Sequence, residues 1–356
     1  MKNICLLGTG FGSIAYLPGI ADLKNARINT LYGRDVKKML YLKKKFNIKN
    51  LYYSLDELLK TCDDDLFCLT LPPKQQYHVL KKLIKYKKKA ILCEKPVTST
   101  LKEILEIKKL LKKNKIKFYV NFQMRYQILR KKIKKIIDSD KIGKILHVNL
   151  NYDFSARLYK EIGYNWWSEK KGGGVLNAMG SHQIDLLIWY FGKVKKVFGT
   201  KNTYLKHRKY KGRNKKVSSD DLVKFIAFFD DFPINVSISS ISIGWKTSQM
   251  QIYGSKGALF LNGENELKYI KKTDLKNQEK SKEINFSEKD KLFKKKWIDE
   301  SIWRASFFRQ IKNIVDHLND NEIKYYGANI SDAIKVRKVI DKIDLSINQK
   351  KLINVN

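Results

Sequence analysis

Over the first third of the chain, short apolar runs alternate with segments whose apolar residues recur at helical spacing. Five of the runs are rich in β-branched or aromatic residues and are bounded by turn signals, as buried strands are: KNICLLG, INTLYG, DLFCLTL, KAILCE and IKFYVNF. Helical patterns such as DVKKMLYLKKKF and TLKEILEIKKLLKK separate them. Strands that alternate with helices predict a parallel sheet with right-handed crossovers. We therefore predict a doubly wound α/β domain over residues 1–121.

After Asn121 the pattern changes to longer strands in which apolar and polar residues alternate. KILHVNLNYDF, DLVKFIAFF and INVSISSISI are examples, and turns of hairpin length such as DDFP and GSKG join the strands of this region. Two helical patterns close the chain, and we expect the last helix to pack back on the first domain. The polar segment 270–296 predicts an exposed loop. Residues 122–356 are thus predicted to form an α+β domain with a large, mostly antiparallel sheet.

Composition narrows the class of protein. Hydrophobic residues make up 43% of the 356 residues, which suits two packed domains. No apolar run reaches the roughly 18 to 20 residues that a membrane helix needs, and the N-terminus lacks a secretion signal, so we predict a cytoplasmic protein that binds no membrane. Cys5, Cys62, Cys68 and Cys93 show neither a CxxC pair nor zinc spacing. We expect reduced, mostly buried thiols and no bound metal.

The formal net charge of +38 raises the question of a nucleic-acid partner. The excess is nearly all lysine and is spread along the whole chain. Nucleic-acid interfaces favour arginine, which contacts phosphate with two parallel hydrogen bonds. The diffuse lysine pattern therefore favours a coding bias, and we expect no nucleic-acid binding.

Three glycines follow the first predicted strand directly and precede a helix. Gly8, Gly10 and Gly12 are placed as a phosphate-binding turn requires, because side chains there would block the approach of a pyrophosphate to the helix N-terminus. Phe11 lies inside this loop, and Ser13 occupies the third fingerprint position, where a small residue permits close packing of helix on strand. The loop predicts a dinucleotide-binding Rossmann domain.

The end of the second predicted strand discriminates between the two nicotinamide cofactors. An acidic residue there accepts hydrogen bonds from the ribose, whereas arginine holds a 2′-phosphate. Arg34 precedes Asp35 at this position. The order favours NADP(H) over NAD(H), although an inward-turned Asp35 would favour NAD(H).

Several blocks along the chain together resemble one family. They are the glycine loop, LPPKQQ, CEKP, VNFQMRY, GGGVLNAMGSHQIDLLIWYFG and IYGSKGALFL. In this order they resemble the Gfo/Idh/MocA oxidoreductases, the group of glucose-fructose oxidoreductase and inositol dehydrogenase, over essentially the full length. The resemblance implies an NAD(P)-dependent oxidoreductase of carbohydrate metabolism, which transfers a hydride between the nicotinamide and a secondary alcohol or ketone of a sugar, nucleotide-sugar or cyclitol.

The lysine of CEKP is the first catalytic residue that the resemblance implies. In the family this lysine, here Lys95, lies beside the nicotinamide and the reacting carbon. A physical argument supports the same role, because a lysine at the carboxyl end of a central parallel strand points into the crevice where such sheets bind ligands. Its charge can stabilise a developing alkoxide there. Glu94 is expected to shape the cofactor site.

The second implied catalytic residue is a histidine that exchanges the proton of the substrate. Alignment on the three glycines places it at His182 and places the family's aspartate at Ala178. Asn177 cannot replace a carboxylate at position 178, because adjacent residues on a helix point about 100° apart. Asp185 lies three residues after His182 on the same helical face and is a candidate to orient its ring. Three alternatives follow. Lys95 and His182 suffice, another residue supplies the carboxylate, or redox activity is lost and the protein is a non-catalytic dinucleotide-binding or regulatory homologue.

The resemblance carries over further positions. Pro72, Gln76 and Asn121 are expected at the cofactor, together with Gly8, Gly10, Phe11, Gly12, Ser13, Arg34, Glu94 and Lys95. Arg125, Trp167, Asn177, His182 and Asp185 are expected at a polyhydroxylated substrate. The family also implies a homo-dimer or homo-tetramer formed through the sheet of the second domain.

Overall fold

A computed structural model describes residues 1–159, 161–244, 247–276, 282–283 and 302–355. The described residues of 1–127 and 292–334 form one compact unit, and those of 128–291 and 335–356 form a second. We call them the cofactor unit and the sheet unit. In the described part of the chain, none of the helices combines the length and the hydrophobicity that crossing a bilayer requires.

The cofactor unit contains a parallel sheet of six strands among its described residues. Their order across the sheet is β3-β2-β1-β4-β5-β6, which is the doubly wound order of the Rossmann fold. The strands are β1 (Lys2–Leu7), β2 (Ala26–Tyr32), β3 (Asn50–Tyr52), β4 (Leu66–Leu69), β5 (Ala90–Cys93) and β6 (Lys117–Val120). The predicted α/β fold is confirmed.

Five helices connect these strands. They are α1 (Phe11–Ala21), α2 (Val36–Phe46), α3 (Leu55–Thr61), α4 (Pro73–Lys85) and α5 (Leu101–Asn114). Local sequence explains where several of them begin. Thr100 and Glu103 form a capping box at the start of α5, and Pro73 occupies the first turn of α4, where a missing N–H costs nothing.

The sheet unit contains a sheet of nine strands among the described residues, in the order β16-β15-β14-β13-β7-β12-β11-β8-β17. Its helices are α6 (Ile128–Asp138) and α7 (Ser181–Phe191), and its strands are β7 (Ile145–Asp153), β8 (Val194–Asn202), β11 (Leu222–Phe229), β12 (Phe232–Ser239), β13 (Thr247–Gly254), β14 (Gly257–Asn262), β15 (Glu266–Lys271), β16 (Lys282–Glu283) and β17 (Ile353–Asn354). A separate ribbon pairs β9 (His207–Tyr210) with β10 (Arg213–Lys216).

All neighbouring pairs of the large sheet are antiparallel except β7 with β12. The mostly antiparallel sheet is therefore confirmed, and the turn signals DDFP and GSKG lie at the β11–β12 and β13–β14 hairpins. Residues 277–281 and 284–301 lie outside the described residues, and with them most of the loop predicted over 270–296. The described part of that segment includes the end of β15 and all of β16.

Two long helices follow, α8 (Ile302–Asn319) and α9 (Ile330–Gln349). From residue 335 onward α9, the last helix, belongs to the sheet unit and not to the first domain as expected. Helix α8 belongs to the cofactor unit, where Phe307, Ile311 and Ile314 join the same buried cluster as Leu6 of β1 and Tyr16 of α1. Burial of so many apolar side chains is the main stabilising contribution to this unit. The first helix of the fold is thus held between the sheet and a helix from near the end of the sequence.

Candidate active site

The glycine loop is shaped by close contact with Thr70, which follows β4. Gly8 has φ +115°, and a Cβ added at Gly8 or at Gly12 would lie 2.7 Å from the Thr70 hydroxyl oxygen. A Cβ at Gly10, the N-cap of α1, would meet nothing within 4 Å. Gly8 and Gly12 therefore let the strands and helix approach, and Gly10 leaves space at the helix N-terminus, where a pyrophosphate fits.

Thr70 is a residue that the sequence did not single out. Its buried hydroxyl donates to the carbonyl oxygens of Leu7 (3.0 Å) and Gly8 (3.1 Å). These bonds fix the exit of β1 at the point where the strand order reverses, which is where doubly wound sheets bind ligands. The only sequence signal for this role is its position at the carboxyl end of a buried strand.

The remaining loop residues make local contacts. The Ser13 hydroxyl donates to the Gly10 carbonyl oxygen at 2.9 Å. The Phe11 ring lies edge-to-face against Trp303 and Phe307 of α8, with centroid distances of 5.7 Å in both cases. Aromatic packing thus anchors the exposed end of the loop to the C-terminal helix.

At the end of β2 the two candidate ribose-binding side chains differ in their contacts. The Asp35 carboxylate caps α2 by accepting from the Lys38 N–H at 3.0 Å. Arg34 is exposed. A Cβ at Gly33 would lie 2.7 Å from the Thr9 methyl group, so this turn packs directly against the glycine loop. One carboxylate oxygen of the exposed Asp35 therefore serves as the helix cap.

Lys95 lies just beyond β5, in a turn whose backbone is held on both sides. The buried Gln76 side chain donates through Nε2 to the carbonyl oxygens of Glu94 (3.2 Å) and Pro96 (2.9 Å). The Lys95–Pro96 peptide bond is cis. One amide therefore bridges the residues before and after Lys95, and this contact was not foreseen when Gln76 was predicted at the cofactor.

Beside Lys95, the Glu94 carboxylate is buried and hydrogen-bonded. It accepts from the Tyr16 hydroxyl at 2.8 Å, from the Asn121 amide and from the Lys95 N–H at 3.2 Å. Burial raises the pKa of Glu94, and the Lys95 charge together with these hydrogen bonds opposes that rise. Burial likewise lowers the pKa of the half-buried Lys95, and the Glu94 charge opposes that fall.

Two further predicted cofactor residues support this turn. Asn121 donates its backbone N–H to the Cys93 carbonyl oxygen at 2.9 Å, so that it holds β5 as well as Glu94. Pro72 precedes α4, and its carbonyl oxygen accepts from the Gln76 N–H at 3.0 Å. The cofactor unit therefore brings Gln76, Glu94 and Asn121 together around Lys95.

In the sheet unit, the glycine triplet predicted to precede the histidine is tightly packed. Gly172 and Gly174 both have φ +81°, which favours glycine. A Cβ at Gly173 would lie 2.3 Å from the Trp166 carbonyl oxygen, and one at Gly174 would lie 2.3 Å from a carboxylate oxygen of Asp220. Each of the three positions therefore excludes a side chain for a geometric reason.

Asp220 is a second residue that the sequence did not single out. Its carboxylate accepts from the Leu176 N–H at 2.7 Å, and its carbonyl oxygen accepts from the Val175 N–H at 2.9 Å. Burial raises the pKa of Asp220 to about 6. Its only sequence signal is the polar run SSDD before a strand. Asp220 holds the start of the segment that leads to His182.

That segment begins with a π-helical turn, Leu176–Gly180, and continues as α7. Ala178 is buried within the turn, and His182 and Asp185 are buried on α7, three residues apart. Asn177 donates through Nδ2 to the Gly173 carbonyl oxygen at 2.8 Å and accepts from Arg337 at 2.7 Å. Its amide therefore supports the loop.

The other predicted substrate residues lie in different settings. The buried Arg125 guanidinium, in a short 3-10 turn after β6, is 3.5 Å from the Asp332 carboxylate, both in the cofactor unit. Trp167 is half-buried in the sheet unit, with the Arg157 guanidinium 5.9 Å from its ring centroid. Both side chains are polar or aromatic groups of the kind that contact sugars.

Two family models match this chain. The model described as "Oxidoreductase family, NAD-binding Rossmann fold" matches residues 2–122. The model described as "GFO/IDH/MocA C-terminal domain" matches residues 131–260. Together they cover more than half of the chain, one on each side of the boundary at residue 127.

Similar proteins of known sequence or structure are also oxidoreductases. An uncharacterized oxidoreductase of Synechocystis is 25% identical over 273 residues, 75% of this chain and 73% of that protein. Glucose-6-phosphate 3-dehydrogenase of Bacillus subtilis is 26% identical over 198 residues, 53% of each chain. Levoglucosan dehydrogenase, solved with NADH and levoglucosan, has the same fold at a TM-score of 0.88, with 17% identity and 99% of each chain covered. The chain belongs to the Gfo/Idh/MocA oxidoreductase family and has its NAD-binding Rossmann fold.

Proposed function

We propose that this protein is a dehydrogenase that transfers a hydride between NAD(P) and a secondary alcohol carbon of a sugar, nucleotide-sugar or cyclitol. The observation that carries the proposal is the turn at Lys95. A half-buried ammonium with a lowered pKa follows a central parallel strand, beside a buried carboxylate and within a backbone fixed by Gln76. Functional sites concentrate such perturbed charges.

The bound nicotinamide would accept or supply the hydride, and the chain positions the alcohol. Lys95 donates a hydrogen bond to the substrate hydroxyl and stabilises the negative charge that develops on its oxygen. Burial lowers the pKa of Lys95, and the Glu94 charge opposes this fall and so favours the protonated ammonium. Tyr16 and Asn121 fix the carboxylate, so the donor is preorganised before the substrate arrives.

The packing of the glycine loop supports dinucleotide binding. Gly8 and Gly12 leave no room for side chains against Thr70, while Gly10 faces open space at the N-terminus of α1. We further propose a preference for NADP(H), because Asp35 caps α2 and the exposed Arg34 can bind a 2′-phosphate. His182, which is buried on α7, takes or returns the proton of the hydroxyl.

Named relatives support the substrate class. One is a glucose-6-phosphate 3-dehydrogenase and another is a levoglucosan dehydrogenase. Arg125 and Trp167 are our candidates for holding a polyhydroxylated ring, through hydrogen bonds and through stacking on the indole. We also propose that residues 1–121 bind the cofactor and that residues 122–356 serve the substrate, with 122–127 and 302–334 packed in the cofactor unit.

The assembly and location are proposals as well. The face of the large sheet that carries Asn149, Phe198, Lys224 and Asn235 lines an open groove of about 450 Å³. We propose that a second copy covers it in a homo-dimer or homo-tetramer, which light scattering on the purified protein would test. The four cysteines are free thiols, which supports a reducing, cytoplasmic compartment.

The central test compares Lys95→Ala with the wild type on a panel of sugars, nucleotide-sugars and cyclitols. Loss of the ammonium should lower kcat/KM roughly a thousandfold, because it removes the charge that the alkoxide needs. Cofactor affinity, measured by fluorescence titration, should stay within about threefold if the pyrophosphate binds at the glycine loop. Lys89→Ala is the matched control, since Lys89 is exposed and pairs only with Asp63 in the described contacts.

Wild-type turnover in Lys95→Ala would contradict the role of Lys95. Ala178 favours a second candidate function, a dinucleotide-binding protein without catalysis, because the family's acid is absent there. In that case the wild type would bind NAD(P)H tightly and would turn over no member of the panel.

The cofactor preference has its own test. Arg34→Ala should weaken NADPH binding about tenfold and leave NADH binding nearly unchanged, because only NADPH carries the 2′-phosphate. Lys44→Ala on α2 controls for general loss of positive charge. Equal losses for both cofactors, or none, would remove Arg34 from the site.

A further inference from the structure

A compact group of potential metal ligands lies in the cofactor unit, apart from the glycine loop. The thiols of Cys5 and Cys62 and a carboxylate oxygen of Asp64 all lie within 4.8 Å of one another. All three residues are buried, at 0%, 5% and 4% exposure. Cysteine spacing had predicted no metal site, since these ligands come from separate segments of the chain.

The elements place this group away from the cofactor. Cys5 is in the middle of β1, Cys62 ends α3, and Asp64 shortly precedes β4. The glycine loop, in contrast, follows the carboxyl end of β1. In a parallel sheet all strands begin at one edge and end at the opposite edge, where the ligand binds. Cys62 and Asp64 lie just before β4 begins, so the group lies toward the edge where the strands begin. It therefore cannot take part in hydride transfer.

The Asp64 carboxylate is incompletely satisfied. One oxygen accepts from the Asn29 amide at 2.7 Å, and the other, Oδ2, is sealed from solvent and has no hydrogen-bond partner in the described residues. A buried carboxylate is costly unless it is paired or coordinates a metal. The buried Lys88 ammonium donates to the Cys62 carbonyl oxygen.

We propose that Cys5, Cys62 and Asp64 bind a thiophilic divalent ion of the zinc type. Two thiolates, one carboxylate and an oxygen donor make a tetrahedral set that zinc accepts. The Thr30 hydroxyl, buried and 3.7 Å from the Cys62 sulfur, is the candidate fourth ligand. Such an ion would tie the end of α3 to β1 and β2 and stabilise the fold.

Charge balance supports this assignment. Two thiolates and one carboxylate carry three negative charges, a divalent ion cancels two of them, and the Lys88 ammonium balances the last. Binding displaces water from the ion and releases the two thiol protons to solvent, with no change of oxidation state.

A disulfide between Cys5 and Cys62 is the competing outcome for the same pair of thiols. It would form only with an oxidant and would leave Asp64 without a role. Metal binding instead requires the reduced thiols together with the carboxylate. The two outcomes therefore differ in what reductant and an Asp64 substitution do.

The test uses the full-length protein, reduced with a phosphine, stripped with a chelator and titrated anaerobically with Co²⁺. We expect one equivalent to bind with a thiolate-to-cobalt charge-transfer band, and Zn²⁺ to displace it. Cys62→Ser should abolish the band, and Asp64→Asn, which keeps the side-chain shape, should weaken Co²⁺ binding at least tenfold. Cys68→Ala is the matched control, because Cys68 is buried in β4 outside the group.

The readout does not depend on oxidoreductase activity, so it can fail or succeed independently of the proposed function. Circular dichroism confirms that each variant is folded. Absence of the band in folded wild type would overturn the proposal, as would equal Co²⁺ affinity in wild type and Asp64→Asn. A protein two hydrogens lighter by intact mass before reduction, and without Co²⁺ binding afterwards, would assign the pair to a disulfide instead.

Discussion

The turn at Lys95 and the segment at His182 are built in opposite ways. Around Lys95, a charged pair is kept and three polar side chains hold it in place. Around His182, the position where the resemblance implies an acid holds the buried Ala178, beside glycines of positive φ and a π-helical turn. The first region holds a charged pair in a hydrogen-bond network, and the second has a defined backbone shape without a charge at residue 178.

In these two regions, different residues determine the backbone conformation and the charge of the site. In the sheet unit, the buried carboxylate of Asp220 accepts from the backbone N–H of Leu176 and fixes the approach to α7. In the cofactor unit, the buried carboxylate of Glu94 accepts one backbone N–H and two side-chain donors. The Asp220 carboxylate therefore supports the fold of its segment, and the partners of Glu94 support the role that we propose for it beside Lys95.

Removing the charge at the Lys95 turn should have the largest effect. Glu94→Gln should lower kcat/KM about a hundredfold, because the carboxylate raises the pKa of Lys95 against its burial. Without it the Lys95 pKa falls further, so the limb of the pH–rate profile that reports Lys95 should move to lower pH. Glu106→Gln on the exposed side of α5 is the control. An unshifted limb would show that Glu94 acts only through packing.

A carboxylate introduced at position 178 tests whether the segment at His182 lacks a charge that turnover needs. Ala178→Asp should raise turnover about tenfold and move the histidine limb to higher pH, because a nearby carboxylate raises the pKa of an imidazole. It should also lower the melting temperature, since residue 178 is buried. Ala178→Asn is the control, because asparagine has nearly the same volume as aspartate but carries no charge. Equal turnover in both variants would mean that this protein does not need the acid.

The smallest effect concerns the stability that Asp220 contributes. Its folded pKa of about 6 lies above the ordinary pKa of an aspartate, so the folded state binds the proton more tightly and this contribution to stability falls as pH rises toward and through 6. Relative to Asp220→Asn, the free energy of unfolding of the wild type should increase by about 1 kcal/mol between pH 7 and pH 5. Urea unfolding at both values measures it. A constant difference would mean that the carboxylate stays charged.

Sequence reasoning predicted the parts of the structure that depend on local patterns. β5 is apolar throughout because both faces of its sheet are covered, and the hairpins at β11–β12 and β13–β14 carry their turn residues. The glycine loop was predicted for the same reason, since glycines that follow an apolar strand are a local pattern, whereas the contact with Thr70 that shapes the loop was not predicted. Resemblance then supplied Lys95 and His182, whose roles remain proposals.

What the sequence did not predict depends on contacts between distant segments. Thr70 contacts the end of β1, and Asp220 contacts the start of the π-helical turn, although neither stands near its partner in sequence. Gln76 was assigned to the cofactor from its position after a proline-rich turn, whereas its amide binds the backbone around Lys95. The spacing of residues along the sequence predicts which side chains are neighbours within one helix or strand. It does not predict contacts with side chains from another element.

The return of α8 to the cofactor unit has a consequence for the order of synthesis. Phe307 and Ile314 complete the core beneath α1, but they leave the ribosome long after residue 127. Until then the nascent cofactor unit lacks one wall of its interior and exposes apolar surface to the cell. The strand, loop and helix of residues 2–21 should therefore reach their final stability only after α8 has been synthesised, and until then they are most exposed to chaperones and proteases.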